Sequence, residues 1–130
     1  MHHTREIPRD GWADYLTLVS TVERDHWVRV EAAAPDLGEQ TVAGRLPLVD
    51  ISLAEKGSAE GVIEVTVGRP GEEITHRILE PAHLYAAESD SGEIECIDIQ
   101  GSDQMKTLIF FEPMSLPEEV MMPEAMMPGM

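Results

Sequence analysis

At 130 residues and 14.4 kDa the chain has room for one hydrophobic core. Hydrophobic residues make up 42%, as in globular proteins, while 25 acidic against 9 basic residues give a net charge of −16. A surface of that sign repels phosphate, which excludes nucleic acid and anionic membranes as partners and leaves cations, basic proteins or further copies of the chain.

One cysteine, Cys96, excludes an internal disulfide framework and fits a reducing compartment. The opening Met1-His2-His3-Thr4-Arg5-Glu6 has no apolar run of the kind that directs export, so the expected location is the cytoplasm.

The first readable element is a helix opening at Ile7-Pro8-Arg9-Asp10, with Pro8 at its first position and Asp10 facing the positive end of its dipole. Trp12, Tyr15, Leu16, Val19 and Val22 repeat with helical spacing and predict one apolar face, ending near Arg24. From Trp27 the period becomes two, and Val28, Val30 and Ala32 alternate with Arg29 and Glu31 as in a strand with one wet face. A second extended stretch runs from about Gln40 to Leu53, interrupted at Pro47. Ile63, Val65 and Val67 form the next buried row, and Ile74, His76 and Ile78 another. Short strands follow around Leu84-Tyr85-Ala86, over Ile94–Ile99, and from Lys106 to Phe111. The alternation changes phase between Cys96 and Ile97, which a β-bulge or a strand buried on both faces would explain.

Tight turns between short strands favour antiparallel pairing, and the single helix is read ahead of all strands. The expected fold is therefore α+β: one N-terminal amphipathic helix packed on an antiparallel β meander or half-closed barrel of about six to seven strands. The compact domain is placed at residues 1–112. Residues 113–130, with prolines at 113, 117, 123 and 128, are expected to form a flexible Pro/Met-rich tail.

Several short motifs have a familiar look. Arg5-Glu6-Ile7-Pro8 with Trp12, Pro35-Asp36-Leu37-Gly38, Leu46-Pro47-Leu48 with Ile51, Thr75-His76-Arg77-Ile78 with Pro81, and Thr107-Leu108 with Phe110 resemble a small bacterial family classed only as a domain of unknown function. The resemblance covers about residues 4 to 112 and excludes the tail. It implies a bacterial single domain and carries no activity, cofactor or catalytic residue to transfer.

His76, on an apolar row, is the strongest candidate for chemistry, because burial shifts an imidazole. Arg77, His83 and Tyr85 lie near it in sequence and could complete a ligand or weak divalent-metal site, with Glu80 as a further carboxylate. The spacing matches no known metal signature, and a core histidine bonded to a neighbour is the plainer reading. Cys96, between Glu95 and Ile97 in a strand, reads as a small buried hydrophobe and not as a nucleophile. No nucleophile elbow, phosphate loop or cofactor motif is present, so no catalytic residue and no cofactor is assigned. In the tail, Leu116, Val120, Met121, Met122, Met126 and Met127 form a pliable apolar strip for docking a partner or a second subunit, and the same thioethers would suit Cu(I).

Three functions compete. A non-enzymatic binding or assembly module, working through a protein partner or through self-association as a homo-oligomer, fits the missing catalytic constellation and the apolar tail. A small-ligand or metal-binding protein or enzyme would centre on His76 and His83. An acidic decoy for a basic protein would use the net charge, although the carboxylates are interleaved with Arg and Lys.

Overall fold

The computed structural model describes residues 2–36, 38–55, 57 and 60–112. The tail assigned to 113–130, including Leu116, Val120, Met121, Met122, Met126 and Met127, lies outside the described residues.

The chain runs β1 (His2–Ile7), a 3-10 turn (Arg9–Gly11), α1 (Trp12–Glu23), β2 (Trp27–Ala34), β3 (Gly38–Leu53), β4 (Ile63–Val67), β5 (Ile74–Ile78), β6 (Pro81–Ser89), β7 (Ile94–Gly101) and β8 (Lys106–Phe111). The strands form one antiparallel sheet in the order β1-β6-β7-β8-β2-β3-β4-β5. Two meanders, β2–β5 and β6–β8, are thus joined through the long-range pairing of β2 with β8. The α+β class and the antiparallel sheet match the sequence expectation, but the described residues form eight strands, the sheet is not closed into a barrel, and a strand precedes the helix.

That extra strand changes the reading of the helix start. Ile7 ends β1 opposite Leu84, Pro8 is extended, and the first turn is 3-10, so α1 begins only at Trp12. The Trp12 indole N–H donates to Ile7 O at 2.9 Å and ties the helix back to β1. Trp12, Leu16 and Val19 are buried as expected, whereas Val22 is 52% exposed. Ser20 takes the inward place that spacing had given to Val22, and it is buried.

Ser20 has a definite task. β2 stops pairing with β3 at Trp27 opposite Pro47, so the later half of β3 has β4 on one side and no strand on the other. On that open side the Ser20 hydroxyl donates to Ile51 O at 2.7 Å and accepts from Ile51 N–H at 2.8 Å. Two residues beyond the helix, Asp25 N–H donates to Leu48 O and Leu48 N–H to His26 O. The helix and its exit therefore satisfy backbone groups that a missing strand would otherwise leave bare. Pro47 does not interrupt β3, which is 16 residues long; it marks the place where the strand changes partner from β2 to β4.

The register sorts the residues into rows. Ala86, Ile97, Ile109, Val30 and Ala43 form one inward row, and Leu84, Ile99, Thr107 and Ala32 another. With α1 and β4 they make a single core cluster. Ile94 and Ile97 both turn inward because Glu95 is an extra residue between the Ala87–Cys96 and Glu88–Ile94 pairs, so a bulge explains the phase change in β7. The row expected from Ile74, His76 and Ile78 is only partly buried. β5 is an edge strand, and Ile74 is 45% exposed. The strand around Leu84 is longer than expected, nine residues from Pro81 to Ser89.

Candidate functional site

His76 pairs with buried Val65, and its Nε2 lies 3.3 Å from the hydroxyl of buried Thr107 on β8. Those strands are four places apart in the sheet order, so the sheet curls enough to bring its β5 edge over the inner surface of β8. Burial lowers the His76 pKa from its ordinary value and favours the neutral ring. Arg77, the next residue, pairs its Nε with Glu64 at 2.8 Å and is exposed.

His83 and Tyr85 do lie together, their rings stacked 6.0 Å apart at 22°, with His83 Nδ1 2.8 Å from a Glu6 carboxylate oxygen. They sit on the outer surface of β6, opposite in facing to Leu84 and to the inner surface that His76 reaches. The four candidates thus divide between the interior, the outer face and an exposed edge strand. Among the described residues no group of three or more His, Cys, Asp or Glu is disposed to hold a metal ion.

The outer surface of the sheet has an organisation that no single stretch of sequence discloses. Ala87, Cys96, Phe110 and Arg29 form one outward row, and Tyr85, Asp98, Leu108 and Glu31 the next. α1 packs into the core on the other side, so among the described residues these rows carry no helix. Arg29 stacks over the Phe110 ring at 4.4 Å from its centroid. At the end of β2, Arg45 lies 4.5 Å and Arg69 5.7 Å from the Trp27 ring. Arg45 also bonds Glu112, whose N–H donates to Trp27 O. Trp27, Leu108, Phe110, Tyr85 and Cys96 are only partly buried.

The ions on this face pair with one another: Arg29 with Glu31 at 2.7 Å, Arg45 with Glu112 at 2.8 Å and Lys106 with Asp98 at 3.6 Å. In a chain of net charge −16 the face is locally close to neutral. Asp98 Oδ2 accepts from Gln100 Nε2 at 3.2 Å, while its Oδ1 is buried and finds no donor among the described residues. Burial, and secondarily the Asp98 charge, pushes the Cys96 thiol up to about 11, which removes it as a nucleophile near neutral pH.

A family model described as "Family of unknown function (DUF5335)" matches residues 3–119. The chain belongs to this family. The match continues past β8 through Pro113–Glu119, further than the resemblance at 4 to 112 had suggested. No curated protein and no solved structure matches the chain. Among the described residues no helix is long and apolar enough to cross a membrane.

Beside the aromatic cluster is a cleft of about 370 Å³ lined by Arg24, Asp25, Asp50, Gly68 and Glu73. Its backbone is tightly turned. Asp25 has φ +70°, and Gly68, at φ +130°, would place a Cβ 2.6 Å from Glu72 O. The Trp27–Arg45–Arg69 cluster escapes sequence reasoning because its members come from β2, β3 and the β4–β5 loop. The usable signal was Trp27 and Arg29 two apart in a strand, with Phe110 out of phase with buried Ile109.

Proposed function

We propose that the chain is a non-enzymatic module that binds polypeptide on the outer face of its sheet, and that the segment it takes is apolar with a few carboxylates. The observation that carries this reading is the stacking of Arg29, Arg45 and Arg69 on Phe110 and Trp27 in a locally neutral face that no helix covers among the described residues. Aromatic and arginine side chains supply most of the binding energy at protein interfaces. Stacked guanidiniums keep donors for carboxylates while their planes cover the rings. Internal pairing of the charges lets an acidic segment approach without the repulsion that the rest of the chain would impose. The exposed surface ion pairs contribute little to folding, so their arrangement is better explained by recognition.

The test uses two fluorescently labelled peptides of about ten residues built from Leu, Val and Pro, one carrying Glu and the other Lys. Anisotropy at near-physiological salt should show the Glu peptide binding with a dissociation constant below about 1 mM. Arg45→Glu, an exposed change, should weaken it about tenfold. Equal binding of both peptides, or none, refutes the reading; tighter binding of the Lys peptide would favour the acidic decoy instead.

A further inference from the structure

We infer that the β5 edge pairs with the β5 edge of a second copy of this chain, antiparallel about a two-fold axis through Thr75, with Glu73 of each copy opposite Arg77 of the other. This contact uses a strand edge and stands apart from the outer-face docking proposed above.

β1 and β5 end the sheet order, so each has a strand neighbour on one side only. A free edge invites pairing unless charge, proline or a cover blunts it. β1 carries such protection: Arg5 points inward over Tyr15, and Pro8 follows the strand directly. β5 contains neither proline nor lysine. Among the described residues its backbone pairs with β4 alone. Ile74 in the strand and Leu79 just beyond it are 45% and 67% exposed, and Thr75 and Arg77 are exposed as well.

Symmetry and charge then select the register. Thr75 and Arg77 face outward, bonded to Thr66 at 2.9 Å and Glu64 at 2.8 Å, while Ile74, His76 and Ile78 lie opposite the buried Val67, Val65 and Ile63. Opposed residues of an antiparallel pair share a face, so a two-fold axis between identical strands passes through a residue. A centre at His76 sets Glu72 against Glu80 of the other copy, and a centre at Arg77 opposes two guanidiniums. Like charges directly opposite destabilise a sheet. A centre at Ile74 leaves Arg77 opposite Gly71. Only a centre at Thr75 sets Glu73 against Arg77, twice over, with the two Thr75 hydroxyls together. Arg77 gives its Nε to Glu64, and the rest of its fork suits a second carboxylate. Exposed Glu73 has no ion pair among the described residues. The Glu64–Arg77 and Thr66–Thr75 contacts thus continue across the axis as ladders. A charge of −16 on each copy repels at a distance, but about 0.15 M salt screens it beyond about 8 Å.

Sedimentation velocity and light scattering on the full chain, from about 5 μM to about 1 mM at about 0.15 M salt, test this. The short edge belongs to the weak class of interface, and the parent should dimerise with a dissociation constant of about 100 μM. Glu73→Arg and Arg77→Glu each oppose like charges twice and should weaken the dimer at least about tenfold. An equimolar mixture of the two variants should dimerise as tightly as the parent, because both opposed pairs are then of opposite sign. Oxidised glutathione should join Thr75→Cys chains about tenfold faster than Leu79→Cys chains, since position 75 alone meets itself across the axis. Cys96, with its thiol at about 11, stays out of that reaction. A parent that stays monomeric to about 1 mM overturns the inference. So do a mixture no tighter than its components and equal cross-linking at positions 75 and 79. Dimers that persist unchanged in both charge variants place the contact elsewhere and also overturn it. If a charge variant fails to fold by circular dichroism, the two cross-linking rates decide alone.

Discussion

Ser20→Ala tests how the helix is bound to the sheet. The hydroxyl makes two short hydrogen bonds, 2.7 Å to Ile51 O and 2.8 Å from Ile51 N–H, at a site where Ser20 is 4% and Ile51 0% exposed. A net hydrogen bond is worth about 1 kcal/mol, and a buried backbone group left unpaired costs about 1–3 kcal/mol. Removing one oxygen breaks both bonds and strands two groups of one peptide neighbourhood. Alanine's better helix propensity returns only about 0.5 kcal/mol. The expected loss is therefore about 2–4 kcal/mol, a large share of a domain's usual 5–15 kcal/mol. Urea unfolding followed by circular dichroism should show the midpoint falling by about 1–2 M with an unchanged slope. The neighbouring Thr21→Ala is the control, because that exposed hydroxyl only donates to Thr17 O within the helix, and its midpoint should hardly move. A Ser20→Ala midpoint within about 0.3 M of the parent would refute the view that α1 seals the open side of β3.

Three further outcomes follow from the same geometry. His76 is held neutral by burial, so below its ordinary pKa of 6.5 the unfolded chain takes up the proton first. The stability present above pH 6.5 should fall as pH drops toward the lowered folded-state value; His76→Gln should flatten that fall, and parallel stability–pH curves for the two proteins would contradict it. Gly68→Ala should destabilise by at least about 2 kcal/mol, since the new Cβ meets Glu72 O at 2.6 Å. Gly71→Ala, with φ +83° and open space around it, should cost only about 1 kcal/mol, and equal losses in thermal unfolding would reject the close-approach argument. With its thiol at about 11, Cys96 should be alkylated by iodoacetamide roughly a hundredfold more slowly at pH 8 than in the unfolded chain. A difference below about fivefold would remove the buried-thiol assignment.

Where one strand face is apolar and the other wet, the sequence was legible. Val28 and Val30, Ile63 to Val67, and Ile97 and Ile99 all lie where period-two alternation placed them. The phase change read between Cys96 and Ile97 has a bulge at Glu95 as its cause, one of the two explanations the sequence left open. β1 was not legible because it is an edge strand whose inward residue Arg5 has no apolar signature. Its guanidinium lies over Tyr15 and pairs with Glu88. Ser20 was overlooked for a related reason. Spacing ranks positions by hydrophobicity, whereas the open side of β3 required a hydroxyl. The proposed docking face was the least legible, because a strand pattern marks Arg29 and Phe110 as outward-facing without revealing that cross-strand register brings them into contact.

The chain's acidity gains a different meaning once the faces are separated. A net charge of −16 suggests by itself a partner of opposite sign. Yet the outer face cancels its own ions through Arg29–Glu31, Arg45–Glu112 and Lys106–Asp98. Desolvating such pairs on binding costs less than desolvating single charges, because each ion carries its partner into the interface. On the proposed docking reading, the surrounding carboxylates would act as a filter, repelling strongly anionic surfaces while the arginine-faced rings accept short segments whose few carboxylates they can meet.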